Sequence, residues 1–206
     1  MENNWKTTDQ LYYSRYHFNL FSNFTFFFDD TMNGDMIRQR ESRNIFGYTT
    51  TASKSWLLGN KKANTELGGG FRFDDVNSIE LSKAVKRQFL DYTQLGDMKE
   101  TNGFLYINQN IELTDKLNMN AAVRYDNFRF GYQNKLAGEN DFRYRKNGVI
   151  SPKLNFNYAV NPRVKVFFNN GIGFHSNDTR VILDNAADDI LPRVIGTDLG
   201  VIIKPV

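Results

Sequence analysis

Residues 148–176 read GVISPKLNFNYAVNPRVKVFFNNGIGFHS. In the first arm Ile150, Pro152, Leu154, Phe156, Tyr158 and Val160 share one parity, and Lys153, Asn155 and Asn157 share the other. A period of two is the signature of a β-strand with two unlike faces. Asn161-Pro162 interrupts the pattern, and Val164, Val166, Phe168, Ile172 and Phe174 then alternate with Arg163, Lys165, Asn169 and His175. Two such strands joined by so short a turn form an antiparallel hairpin. One face is aliphatic and aromatic, while the other carries Asn, Lys and His, so the apolar face meets either a second sheet or lipid.

The same pattern recurs along the chain. Residues 11–28 place Tyr12, Tyr16, Phe18, Leu20 and Phe24 opposite Arg15, His17, Asn19 and Asn23, which predicts a long first strand. Further strands are expected over 46–56, 63–73, 103–113, 117–125 and 194–204. Gly59-Asn60, Thr114-Asp115-Lys116 and Asn161-Pro162 read as short turns, and 29–43, 76–101, 133–147 and 177–193 as long polar connections. In the charged stretch 76–101, Ile79, Leu81 and Val85 allow the strands to continue beyond the rim. Past Asn127 the apolar parity switches to Phe128, Phe130 and Tyr132, so the strict stripe of that strand is about the 9–11 residues a tilted strand needs to cross a bilayer.

Long and short connections that alternate in this way describe an outer-membrane barrel with short periplasmic turns and longer extracellular loops. The fold class expected is therefore all-β: an antiparallel up-and-down transmembrane β-barrel segment of about eight strands, occupying 1–206 as a single portion. Phe18, Phe24, Thr50, Leu67, Ile107, Val123, Phe156, Phe168 and Leu199 are expected to face outward, with the turns near Gly59, Thr114 and Asn161 at one end.

Composition agrees with a large β-structure. Of 206 residues 15% are aromatic, with 18 Phe and 10 Tyr, and Asn, Asp, Lys and Arg fill the positions between them. There is no cysteine, which excludes disulfides, thiolate nucleophiles and Cys-ligated zinc. No apolar window reaches the ~18 residues of a spanning helix, and residues 1–5 carry no signal-peptide pattern, so an export signal is expected outside this sequence. The net charge of +3 is dispersed, without the basic run of a nucleic-acid binder.

Catalytic motifs are not apparent. Gly171-Ile172-Gly173 lacks the third glycine and the helix of a dinucleotide fingerprint, and marks small residues near a rim. Gly68-Gly69-Gly70 is not followed by Lys-Ser or Lys-Thr and is expected to form a bulge or a tight curve. His175 and Ser176 are adjacent and so point to opposite faces, and His17 and His175 read as lumen hydrogen-bonders rather than metal ligands. Asp178, Asp184, Asp188 and Asp189 lack the spacing of a calcium loop and read as a solvated surface loop.

In Ser151-Pro152-Lys153-Leu154-Asn155-Phe156, in Gly171 to Arg180, in Leu191-Pro192-Arg193, Gly196 to Gly200 and Lys204-Pro205, and in Asn33 to Gln39, the chain resembles a TonB-dependent receptor. The resemblance covers all eight expected strands but includes nothing like the plug or the TonB-engaging motif, and the chain does not end on a strand with a terminal aromatic. It implies an outer-membrane location and part of the wall of a large, 22-stranded type of barrel. It also implies uptake of a siderophore-iron, cobalamin, metal or glycan ligand, driven by the TonB system through the plug. Partners would be outer-membrane lipid and a small molecule or metal chelate, and no protein cofactor is implied. Candidate binding residues in lumen or loops are Arg15, His17, Arg124, Asn155, Asn169, His175, Asp178 and Arg180. The competing expectation is a self-contained eight-stranded barrel with a structural or adhesion role, since eight is the smallest outer-membrane size.

Overall fold

In the computed structural model, which describes residues 5–176, 179, 183 and 190–205, eight strands form one antiparallel meander in sequence order. They are β1 (Lys6–Ser22), β2 (Ile37–Leu58), β3 (Lys61–Val85), β4 (Gln88–Glu112), β5 (Leu117–Asn134), β6 (Arg143–Asn161), β7 (Val164–Phe174) and β8 (Arg193–Ile203). The turns at Gly59, Thr114 and Asn161 share one end, as the alternation of the sequence predicts. Asn161 builds the third of them: its side-chain oxygen accepts the backbone N–H groups of Arg163 and Val164 at 2.9 and 3.0 Å.

Three expectations are corrected elsewhere in the sheet. Residues 76–101 are not a loop but the upper parts of β3 and β4, closed by a tight turn at Lys86-Arg87. Both turn residues have positive φ, 50° and 67°, which matches the right-handed twist of the flanking strands. The first strand stops at Ser22, and Phe24 lies in the following turn, 82% exposed. Gly68-Gly69-Gly70 is not a bulge either, because its register with β2 and β4 is unbroken. Instead the Tyr106 ring lies over Gly68, where a Cβ would collide with it. Gly68→Val is therefore expected to displace Tyr106 and cost about 1–3 kcal/mol, as overpacking does, read as a lowered urea midpoint in detergent. An unchanged midpoint would mean that the ring swings aside freely.

The register assigns the faces. Leu67, Ile107 and Val123 are successive register partners, as are Phe156, Phe168 and Leu199, and Thr50 lies on the same face. This is the apolar outer band. Phe18 is not part of it: its partner is Glu41, on the polar inner face, while Leu11 and Tyr13 pair with Tyr48 and Phe46 outside. Aromatic residues occupy both parities of β1, so its alternation alone does not determine which face is lipid.

Above the band the polarity inverts without any change in backbone parity. On the inner face Phe128, Phe130 and Val149 form a buried cluster with Ile190 and Leu191. Beside it Val76, Ile79, Met98 and Tyr132 form a second, and Leu183 packs against both. Thr179, Ile190 and Leu191, in the connection from β7 to β8, are buried against the inner wall, while Asp178, Asp184, Asp188 and Asp189, expected in a solvated loop, lie outside the described residues. The sheet is open: among the described residues β1 bonds only to β2, and β8 only to β7. A closed small barrel is therefore not the arrangement observed.

Candidate functional site

The inner wall carries two polar bands. The lower is a row of carboxamides at one register level. Ser55, Asn64, Asn110, Asn120, Asn155, Asn169 and Asp198 are successive partners across β2 to β8. Asn64 donates to Ser55 Oγ at 3.2 Å. Asn120 donates to Asn108 and Asn110 at 2.6 and 2.9 Å and accepts from Asn155 at 3.0 Å. A carboxamide has both donors and acceptors, so each link leaves hydrogen-bonding capacity directed at the lumen.

The upper band is ionic. Asp74, 4% exposed, accepts from Arg72 at 2.7 Å and from Arg43 at 3.1 Å. Arg124 pairs with the buried Asp126 at 2.7 Å, and its guanidinium lies 3.9 Å from the centre of the Phe104 ring. Tyr16 and Tyr106 donate to Glu41 and Glu66 at 2.8 and 2.9 Å. Glu100 accepts from the Thr179 hydroxyl at 3.3 Å, tying the β7 to β8 connection to the wall. Glu100 lies above the outer apolar band. Burial and the neighbouring Asp74 charge push its carboxyl up, against the Thr179 hydrogen bond and the charges of Arg72 and Arg43. Higher on the hairpin, Arg38 bonds the buried Glu80 at 2.9 Å through Nε.

The connection from β1 to β2 is shaped by two aspartates. The Asp35 carboxylate accepts the backbone N–H groups of Asp30, Asp29 and Phe28, and Asp30 caps Met32 and Asn33. These bonds, with the Thr25 hydroxyl, hold the Asp35 carboxyl down at about 2 from an ordinary 3.8. A depressed pKa contributes stability that is complete above 3.8 and lost as pH falls toward about 2. Amide protection at Phe28, Asp29 and Asp30 is therefore expected to fall across that window in hydrogen exchange. In Asp35→Asn it should be low at every pH, and wild-type protection that stays flat would contradict the assignment.

Of the sequence candidates, Arg124, Asn155 and Asn169 stand on the inner wall, and Asn155 is the register partner of Asn169. Arg15 and His17 do not join them. Their partners Asn44 and Ser42 put both on the outer parity, above the apolar band. His175 follows β7, exposed, with its N–H bonded to Pro192 O at 3.0 Å. Asp178 and Arg180 lie outside the described residues. Asn64, Asn110 and Asn120 were missed as site residues, although their shared parity was visible; what the sequence lacks is the register that aligns them.

The family described as TonB dependent receptor-like, beta-barrel matches residues 2–187. The chain belongs to this family. No curated protein matches it. Among solved structures, it resembles the unliganded ferric citrate transporter FecA with a TM-score of 0.78 and 11% identity, over 96% of this chain and 29% of that one. It also resembles the ferric-catecholate import receptor Fiu of K12 E. coli in its closed form, with a TM-score of 0.67 and 11% identity, over 98% of this chain and 36% of that one. The chain thus spans about a third of the two solved proteins it resembles, and its lipid-facing band belongs in the outer membrane.

Proposed function

We propose that this chain forms part of the wall of a receptor that takes up a scarce nutrient through the outer membrane, of the siderophore-iron, cobalamin, metal or glycan class. The TonB system would act through a plug domain outside these residues. The observation that carries the reading is the pairing of an outer apolar band with two hydrogen-bonded polar bands on the reverse of the same strands. Such a wall replaces part of the hydration shell of a polar solute while the outer face meets lipid. Arg124, Asn155 and Asn169 are the contact residues proposed on the wall, with His175 just past β7; Asp178 and Arg180, outside the described residues, are proposed with them from the sequence. No group on this chain is assigned a chemical step.

The test is energy-dependent uptake by cells carrying the full-length receptor, offered each nutrient class in turn. Asn120→Leu/Asn155→Leu removes the centre of the lower band and is expected to reduce uptake about tenfold, the equivalent of ~1.4 kcal/mol at the barrier, with surface levels unchanged. Uptake of every class at the level of receptor-deleted cells would refute the reading.

A further inference from the structure

On the outer face, the rows just above the apolar band are cationic. Arg129 of β5 and Lys146 of β6 are direct register partners, so two like charges share one face. Lys99 of β4 is on the same face, one step diagonal from Arg129. Like charges directly opposite in a sheet repel. Arg129 and Lys146 are exposed, and among the described residues neither has a carboxylate at ion-pair distance. The nearby carboxylates Asp97 and Glu139 are engaged by Lys135 and Arg143, and Asp75 is the register partner of Lys99 without closing an ion pair. This contrasts with the inner wall, where Arg72, Arg43 and Arg124 are each matched. Aromatic rings hold two of the outer cations in place: Arg129 lies 4.1 Å from the centre of the Tyr144 ring, and Lys99 4.7 Å from that of Phe142.

Directly below, the outer face is grooved. Gly103 supplies no side chain and leaves open space there, while Leu105 folds over Gly69, so a trough of about 800 Å³ is walled by Tyr48, Phe71, Leu105 and Tyr125. Gly103 pairs with Asn127, one step below Arg129 on the same face, so the groove leads up to the cations. An apolar trough in the lipid-facing band, ending at unmatched cations where headgroups begin, has the form of a lipid bound lengthwise.

We propose that this is a specific site for a phosphate-bearing lipid of the outer leaflet, with an acyl chain in the groove over Gly103, beside Leu105, and its phosphate between Arg129, Lys146 and Lys99. The phosphate offsets the Arg129–Lys146 repulsion, and the guanidinium offers paired donors to its oxygens. The site faces away from the lumen, so it stands whatever solute the receptor carries.

The test uses the full-length receptor in phosphatidylcholine nanodiscs doped with bisphosphorylated lipid A or with its dephosphorylated form, with retained lipid counted by native mass spectrometry. Phosphorylated lipid is expected to be retained at least tenfold better. Arg129→Gln/Lys146→Gln should abolish that preference without loss of folding, because it also removes the repulsion. Gly103→Leu tests the groove separately: nothing lies within 4 Å of a Cβ there, so the side chain enters empty space. It should lower retention of both lipids, and millimolar inorganic phosphate should displace neither. Equal retention of the two lipids, a preference surviving in the double variant, or full displacement by inorganic phosphate would each overturn the proposal.

Discussion

Phe130→Ala is expected to be among the most damaging single changes on the inner wall, lowering unfolding stability by about 3–5 kcal/mol, the usual loss for a buried Phe. Phe130 has no exposed surface and stacks on Phe128 with centroids 5.5 Å apart and planes 2° from parallel. Phe174 meets Phe128 edge-on at 5.7 Å, and Ile190 and Leu191 complete the cluster. The substitution thus opens a cavity beneath the connection from β7 to β8. Besides a lower urea midpoint, hydrogen exchange at Ile190 and Leu191 should accelerate, while amides of the lipid-facing band, such as Ile107 and Val123, should not change. Leu199→Ala is the control: Leu199 is 77% exposed on the outer face, so it loses chiefly lipid contact beside its register partner Phe168. Equal losses in the two variants would show that the cluster does not anchor the connection.

The parts of this architecture that the sequence discloses are those where one face is lipid and the other water. Strands β3 to β8 cross the band with clean alternation, so their outward sets and the turns at Gly59, Thr114 and Asn161 follow from parity alone. Above the band that rule stops applying, because both environments change together. Phe128, Phe130 and Tyr132 keep the inner parity of Arg124 and Asp126, yet bury apolar surface where those residues carry charge. The apparent parity flip after Asn127 is the strand leaving the bilayer. The same change of environment misplaced Phe18 and put Arg15 and His17 on the wrong face, since most of β1 lies above the band. The hairpin over 76–101 was hidden by its charges, which are matched within the sheet by pairs such as Arg38 with Glu80. The carboxamide row was half visible: each Asn had its parity, but only pairing aligns the five strands that carry them at one height.

Expressed alone, these 206 residues are expected to aggregate, or to stay an open sheet in detergent, and to conduct no solute. β1 (Lys6–Ser22) and β8 (Arg193–Ile203) each leave one edge without a partner among the described residues, and neither contains a proline to block pairing. Pairing these edges with each other would close eight strands, a size whose interior holds only filling side chains. The inner wall is not filling material. Closure would press Glu66, Lys153 and Lys165 together with the bulk of Arg43, Arg72 and Arg124, and each charge left unmatched there costs several kcal/mol. The edges also differ in length, so part of β1 would stay unpaired in any closed form. The measurement is size-exclusion chromatography of the purified chain in detergent, with heat-modifiable mobility and protease resistance as signs of a closed barrel. A monodisperse, heat-modifiable, protease-resistant monomer would reverse the conclusion: the inner charges would then have to be mutually satisfied at eight strands, and the chain would be a complete small barrel.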